Sequence, residues 1–162
     1  MRRGSMTLRE GDPAPDFEAV SYTGDRVRLS DYRGQVVVLY FYPRAMTPGC
    51  TREALRFNEL LEEFRRLGAV VIGVSTDSPE RLKRFAEKHS LSFTLLSDPE
   101  GRIASLYGVL KRSGKTRRPS AERVTFIIDW RGIVSKVLRN VRPAEKHADL
   151  ALEHVKALGS QA

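Results

Sequence analysis

The chain has one cysteine, Cys50, one tryptophan and three histidines among its 162 residues. A single thiol excludes an intramolecular disulfide, and with it the small secreted scaffolds that need several. It also excludes dithiol redox chemistry within one chain, which requires a second sulfur. His89, His147 and His154 are expected on helix surfaces, far in sequence from Cys50 and without metal-ligand spacing. Neither a metal nor a cofactor is therefore expected. Long apolar runs are missing too: the densest, residues 36–42, is well short of the ~20 apolar residues that a membrane-spanning helix needs. No apolar stretch follows Arg2 and Arg3 as a secretory leader requires, so the expected location is cytoplasmic, with no membrane partner. Residues 1–7 read as a flexible lead, its start resembling an expression scar, and residues 8–160 as a single domain.

Acidic charge is in deficit. Lysine and arginine total 28 against 20 aspartate and glutamate, a formal net charge of +8. Such an excess suits an anionic partner. The basic residues are dispersed, however, and many lie beside acids, as in Glu62-Glu63-Phe64-Arg65-Arg66. Nucleic acid is accordingly not the expected partner. The one concentrated stretch, residues 111–118 (Lys-Arg-Ser-Gly-Lys-Thr-Arg-Arg), reads as a flexible basic loop inside a long unstructured connection over residues 110–122. Gly108 with Gly114-Lys115-Thr116 approaches a phosphate-binding loop, but five residues separate the glycines where that motif has four.

Apolar content is ordinary, at 41%, and its patterning is informative. After a Pro13/Pro15 lead-in, residues 17–20 and 26–29 flank the turn Tyr22-Thr23-Gly24-Asp25, predicting a hairpin. Residues 36–42 are continuously apolar, the pattern of a strand covered on both faces. From Cys50, Leu55, Leu60, Leu61, Phe64 and Leu67 predict one helix closed by Gly68. A strand over 69–74 follows, then a helix from the capping Ser78 and Pro79 to about His89. Residues 93–96 predict a strand and 103–107 a short helix. Residues 123–128 and 133–138 predict a hairpin around Asp129-Trp130-Arg131-Gly132, and 143–158 a final amphipathic helix. Helices alternating with buried strands, then a hairpin, give an α/β fold with a mixed central sheet and helices on both faces.

Cys50 lies where the strand over 36–42 hands over to the long helix, after Pro43-Arg44-Ala45-Met46-Thr47-Pro48-Gly49. At a helix start a sulfur meets unpaired backbone N–H groups and the positive end of the helix dipole, and both favour the thiolate. Pro48 and Gly49 predict a tight turn exposing the following amides, and Thr47 brings a hydroxyl three residues before the sulfur. Two readings stay open on these residues alone. Thr47 is either a cap beside an inert buried cysteine, or part of an activated nucleophile's site.

The string Pro43-x-x-x-Thr47-x-x-Cys50, continuing Thr-Pro-Gly-Cys-Thr, resembles the active-site signature of the peroxiredoxins, in their bacterioferritin-comigratory or peroxiredoxin Q branch. Further segments resemble that branch in the same order: Val74-Ser75-Thr76-Asp77, Phe85-Ala86-Glu87-Lys88, Leu95-Leu96-Ser97-Asp98 and the stretch from Arg123 through Asp129. The resemblance implies a thioredoxin-like fold and thiol-dependent reduction of hydrogen peroxide and organic hydroperoxides. It assigns Cys50 as the peroxidatic nucleophile, Thr47 as the peroxide-aligning group, Pro43 as a shield and Arg123 as the stabilising cation. Gly49 and Glu53 are supporting residues, Glu53 orienting an arginine.

The chain departs from that pattern at two places. A resolving cysteine five residues after the nucleophile is replaced by Leu55, and the alternative position falls in Phe85-Ala86-Glu87, which holds none. This implies a one-cysteine variant whose sulfenic acid is reduced by an external thiol: thioredoxin, glutaredoxin or a small thiol. Met46 is also unusual beside the motif and is itself oxidisable. The competing reading is a catalytically silent binding module of the same fold that uses its basic 111–118 loop. Monomer and homodimer stay equally open.

Overall fold

The computed structural model describes residues 8–112 and 118–161. The 1–7 lead and residues 113–117 of the basic stretch lie outside the described residues. The described elements run β1 (Glu18–Ser21), β2 (Arg26–Arg28), β3 (Val36–Phe41), α1 (Pro48–Glu59), α2 (Leu61–Arg66) and β4 (Ala69–Ser75). They continue α3 (Pro79–His89), β5 (Thr94–Ser97), α4 (Arg102–Leu106), β6 (Leu110–Arg112) and β7 (Pro119–Ala121), ending with β8 (Val124–Ile128), β9 (Val134–Arg139) and α5 (Lys146–Gln161).

Seven strands form one mixed sheet in the order β2-β1-β5-β4-β3-β8-β9. Strands β3, β4 and β5 are parallel neighbours, while β1 and β8 join them antiparallel. The continuous apolar run of β3 follows from its central place, because successive side chains of a strand point to opposite faces. Val36, Val38 and Tyr40 enter a core with Phe57 of α1, Phe64 of α2, Phe85 of α3 and Val155 of α5. Val37, Leu39 and Phe41 enter the other, with Phe17, Ile103 of α4, Tyr107 and Phe126. Helices thus cover both faces, as the alternating pattern predicts. On β4, Gly73 leaves room where a Cβ would stand 2.9 Å from Leu95 and 3.0 Å from the Tyr40 ring.

The helix boundaries have local causes. Thr47 occupies the N-cap of α1 with Pro48 in its first turn, where a missing N–H costs nothing. Ser78 caps α3, its Oγ accepting the Arg81 amide at 3.2 Å, with Pro79 following. The single helix expected from Cys50 to Leu67 is divided at Leu60 into α1 and α2. That break barely disturbs the apolar period, which is why the spacing does not reveal it; Leu55 and Leu67 nevertheless stay exposed.

The long unstructured connection expected over 110–122 is also corrected. Strands β6 and β7 flank it and pair antiparallel, Leu110 opposite Ala121 and Arg112 opposite Pro119. No helix among the described residues is long and apolar enough to cross a membrane.

Candidate active site

Helix α1 buries Cys50, Glu53, Ala54 and Phe57, positions spaced three, four and seven residues from the sulfur and so on one helix face. Cys50 is the third helical residue and only 1% exposed. The first intrahelical bond of this turn runs from the Thr51 amide to the Thr47 carbonyl at 2.9 Å, so the amides of Gly49 and Cys50 belong to the unpaired set at the helix start. Pro48 and Gly49 are themselves the first helical turn, correcting the separate tight turn read from the sequence.

Arg123, one residue before β8, reaches the same place from the sheet. Its Nη1 donates to Glu53 Oε1 at 2.6 Å, and Cys50 is close enough to contribute to its electrostatics. Burial opposes the Arg123 charge, but Glu53 and Cys50 outweigh it and hold the guanidinium more firmly protonated than an ordinary arginine. Glu53 is wholly buried; burial pushes its carboxyl up while Arg123 pulls it down, and the 2.6 Å bond to that permanent cation favours the ionised carboxylate. Gly49 permits this approach, since a Cβ there would stand 3.3 Å from Arg123 Nη2. The structure therefore brings Cys50, Glu53, Gly49 and Arg123 together.

Thr47 donates its hydroxyl to the Arg44 carbonyl at 2.8 Å and makes no side-chain capping bond. Its oxygen keeps lone pairs for a second partner. Met46 just before it has φ +70°, a conformation uncommon outside glycine and concentrated at functional sites.

Two residues not singled out in the sequence fix this loop. Asp77 Oδ2 accepts the Ala45 amide at 2.7 Å and the Ser75 hydroxyl at 2.7 Å. Arg81 Nη2 donates to the Ala45 carbonyl at 2.8 Å, and its Nε pairs with Asp77 Oδ1 at 2.9 Å. Both polar groups of Ala45 are thus held from α3 and the end of β4, next to the unusual Met46 backbone. The only hint in the sequence was Asp77 lying four residues before Arg81, on either side of a helix start.

The histidine expectation needs correction. His147, in the first turn of α5, is wholly buried, with Nδ1 2.9 Å from the Thr125 hydroxyl and Nε2 without a hydrogen-bond partner. Burial first, then the Arg123 cation, pushes its imidazolium down to about 4, so it is neutral. The nearly continuous apolar run of β8 conceals this, because Thr125 is the strand's only polar residue and faces the helix. His154 bonds Ser135 at 2.7 Å and His89 packs edge-on against Phe85.

The Tyr40 hydroxyl is likewise buried without a hydrogen-bond partner. Burial, then Tyr42, Glu53 and Cys50, raises its phenol well above the ordinary range, so it stays protonated beside the sulfur. Pro43, Gly49 and Arg123 line a cleft of about 520 Å³. Pro43 also lines a second cleft, of about 610 Å³, with Asp77, Arg81 and Arg118. The flanks of the basic stretch are tied here: Ser120 Oγ donates to the Pro43 carbonyl at 3.3 Å and Thr76 Oγ1 to the Pro119 carbonyl at 3.0 Å.

The arrangement is a buried sulfur at a helix start, a guanidinium anchored by a carboxylate, and a hydroxyl three residues upstream. It can attack a small electrophile in line with charge-stabilising donors. Residues 10–137 match the AhpC/TSA family. The chain is 44% identical over 158 residues to peroxiredoxin Bcp of Bacillus subtilis (strain 168), covering 96% of this chain and all of that protein. It is 41% identical over 152 residues to peroxiredoxin Bcp of Escherichia coli (strain K12), covering 92% and 96%. The crystal structure of peroxidoxin BcpB from Mycobacterium tuberculosis superposes with a TM-score of 0.87 at 38% identity, covering 93% of this chain and 98% of that one. The chain belongs to the AhpC/TSA family, as a thioredoxin-fold peroxiredoxin of the Bcp/peroxiredoxin Q branch and a one-cysteine variant of it, a thiol-dependent peroxidase.

Proposed function

We propose that Cys50 performs this peroxidase reaction as the sole nucleophile, with Arg123, Thr47 and Pro43 as its immediate partners and Gly49 and Glu53 in support. The Cys50 thiolate attacks one peroxide oxygen, the O–O bond breaks, and the leaving oxygen departs as water or alcohol after taking a proton. Cys50 is left as the sulfenic acid. Arg123 stabilises both the thiolate and the charge developing on the leaving oxygen, for which its planar fork of donors suits it. Thr47 aligns the peroxide, Pro43 shields the sulfur, and Gly49 leaves the space that Arg123 occupies. The observation that carries this reading is the convergence of Cys50 and Glu53 on one helix face with Arg123 from β8.

With no second thiol in the chain, an external one must reduce the sulfenic acid: a thioredoxin, a glutaredoxin or a small thiol. Turnover in the cytoplasm, as one domain over residues 8–160, completes the reading. Peroxide consumption with dithiothreitol as donor tests it. Wild-type protein is expected to turn over and Cys50→Ser to be inert with an unchanged circular-dichroism spectrum; turnover by the serine variant would refute the assignment.

A further inference from the structure

The single cysteine leaves half of the catalytic cycle to a molecule from outside, and the cleft beside Cys50 has a composition of its own. It is lined by the cations Arg52, Lys111, Arg123, Arg139 and Arg142, with Glu122 as its one lining carboxylate. Glu122 is engaged by Arg139 at 2.6 Å, Arg123 by Glu53 at 2.6 Å, and Arg52 by Glu145 at 3.5 Å. Among the described residues no carboxylate pairs with Lys111 or Arg142. Deeper on the wall lies His147, wholly buried, with an unpartnered Nε2. Gly49, the residue before Cys50, and Arg123, the cation assigned to it, are part of the same lining, while Cys50 itself is not.

A volume of about 520 Å³ admits a small molecule. Cys50, 1% exposed, presents little to a protein surface. We infer that this cleft binds the carboxylate of a small anionic thiol, placing its sulfur at the oxidised Cys50. The inference rests on the peroxidase reading and names the reductant class for it.

The chemistry balances without another component. The thiol sulfur attacks the sulfenic sulfur of Cys50, forming an S–S bond as the S–O bond breaks. Hydroxide leaves with the thiol's proton as water. A second thiol then attacks the mixed disulfide, releasing the small disulfide and regenerating the Cys50 thiolate and one proton. Lys111 and Arg142 bind the carboxylate, and the surrounding positive potential also favours the attacking thiolate.

Three small thiols differing in charge test this: 3-mercaptopropionate, 2-mercaptoethanol and cysteamine. Full-length protein is first oxidised with one equivalent of hydrogen peroxide, and mass spectrometry verifies one added oxygen on Cys50. Absence of that oxygen overturns the peroxidase reading, and the inference with it. Decay of the sulfenic acid is then followed with each thiol, with rates expressed per thiolate. The anionic thiol is expected to react roughly fivefold faster than the neutral one at low salt, and the cationic one slowest. Lys111→Glu/Arg142→Glu should bring the anionic-to-neutral ratio to about one or below, and Arg142→Gln should lower it partway. Added salt should do the same to wild-type protein. Equal per-thiolate rates in the wild type, or a preference that survives charge reversal, would overturn the inference.

A separate arm holds 2-mercaptoethanol constant and compares a carboxylated with an uncharged hydroperoxide. If charge reversal alters only that comparison, the cleft serves the peroxide and the proposal fails.

Discussion

Arg123 and Glu53, seventy residues apart in sequence, meet at 2.6 Å inside the protein, and Cys50 adds to the electrostatic hold on the same guanidinium. The carboxylate is wholly buried, so it restricts the arginine to one orientation instead of competing for solvent. The pair's value lies in geometry, since burying two charges costs much of what their attraction returns. Substituting Arg123 by lysine keeps the charge and loses the fork, whereas methionine loses both. The expected order of kcat/KM for peroxide is wild type, then Lys, then Met, the last lower by roughly 10²–10³-fold, as for loss of an oxyanion donor. Stopped-flow peroxide reduction measures it, and equal rates for wild type and Arg123→Met would remove Arg123 from the mechanism.

Gly49 offers a cleaner separation of stability from chemistry. A Cβ there meets Arg123 Nη2 at 3.3 Å, so the guanidinium must yield by a few tenths of an ångström. Alanine is the better helix former by about 1 kcal/mol. Gly49→Ala is therefore expected to unfold no more easily in urea while its peroxide rate falls, by about three- to tenfold. A variant as fast as wild type would show that the guanidinium has room to spare.

His147 makes stability depend on pH. Its proton affinity is lowered from 6.5 to about 4 in the folded chain, so between those values the unfolded state binds more protons. Stability contributed by neutral His147 is present above pH 6.5 and is lost as pH falls toward 4. Between pH 7 and pH 5 this group accounts for a loss of about 1.5–2 kcal/mol. Urea titrations at both pH values, on wild type and His147→Asn, check it. The variant should lose correspondingly less on acidification; an identical loss would contradict the assignment.

The contrast between these residues explains how far the sequence could be read. Strands covered on both faces announce themselves by unbroken apolar runs, as in residues 36–42, and Ser78-Pro79 marks its helix start by chemistry that acts locally. Cys50 and Thr47 stand out in the sequence because one helix turn relates them, whereas Glu53 enters only through the family resemblance. Arg123 came only through resemblance to a family, since nothing within the chain's local pattern shows which cation crosses to the sulfur. His147 and the Asp77–Arg81 pair were missed for the same reason: their partners, Thr125 and Ala45, lie 22 and 32 to 36 residues away. The pairing of β6 with β7 was hidden by the polar composition of the stretch between them.

The hold of Asp77 and Arg81 on Ala45 should show in stability as well as in rate. Asp77→Ala leaves the Ala45 amide and the Ser75 hydroxyl without their shared acceptor and Arg81 without its counter-ion. A loss of about 2–4 kcal/mol is expected in urea unfolding. Arg81→Met keeps Asp77 and removes only the bond to the Ala45 carbonyl and the ion pair, so it should cost less stability yet still slow peroxide reduction. Unchanged peroxide kinetics in Arg81→Met would confine this pair to folding.

The fate of the Cys50 sulfur after one turnover is the central question. Wild-type protein at low concentration, treated with one equivalent of hydrogen peroxide and no reductant, is analysed by intact-mass spectrometry with and without dimedone. Because Leu55 stands where a resolving thiol would be and the chain has no other cysteine, the expected product is the monomer plus one oxygen, captured by dimedone at Cys50 and absent from Cys50→Ser. Excess peroxide should add a second oxygen and abolish activity. A Cys50–Cys50 linked dimer as the dominant product, or an oxygen added equally to Cys50→Ser, would contradict the mechanism.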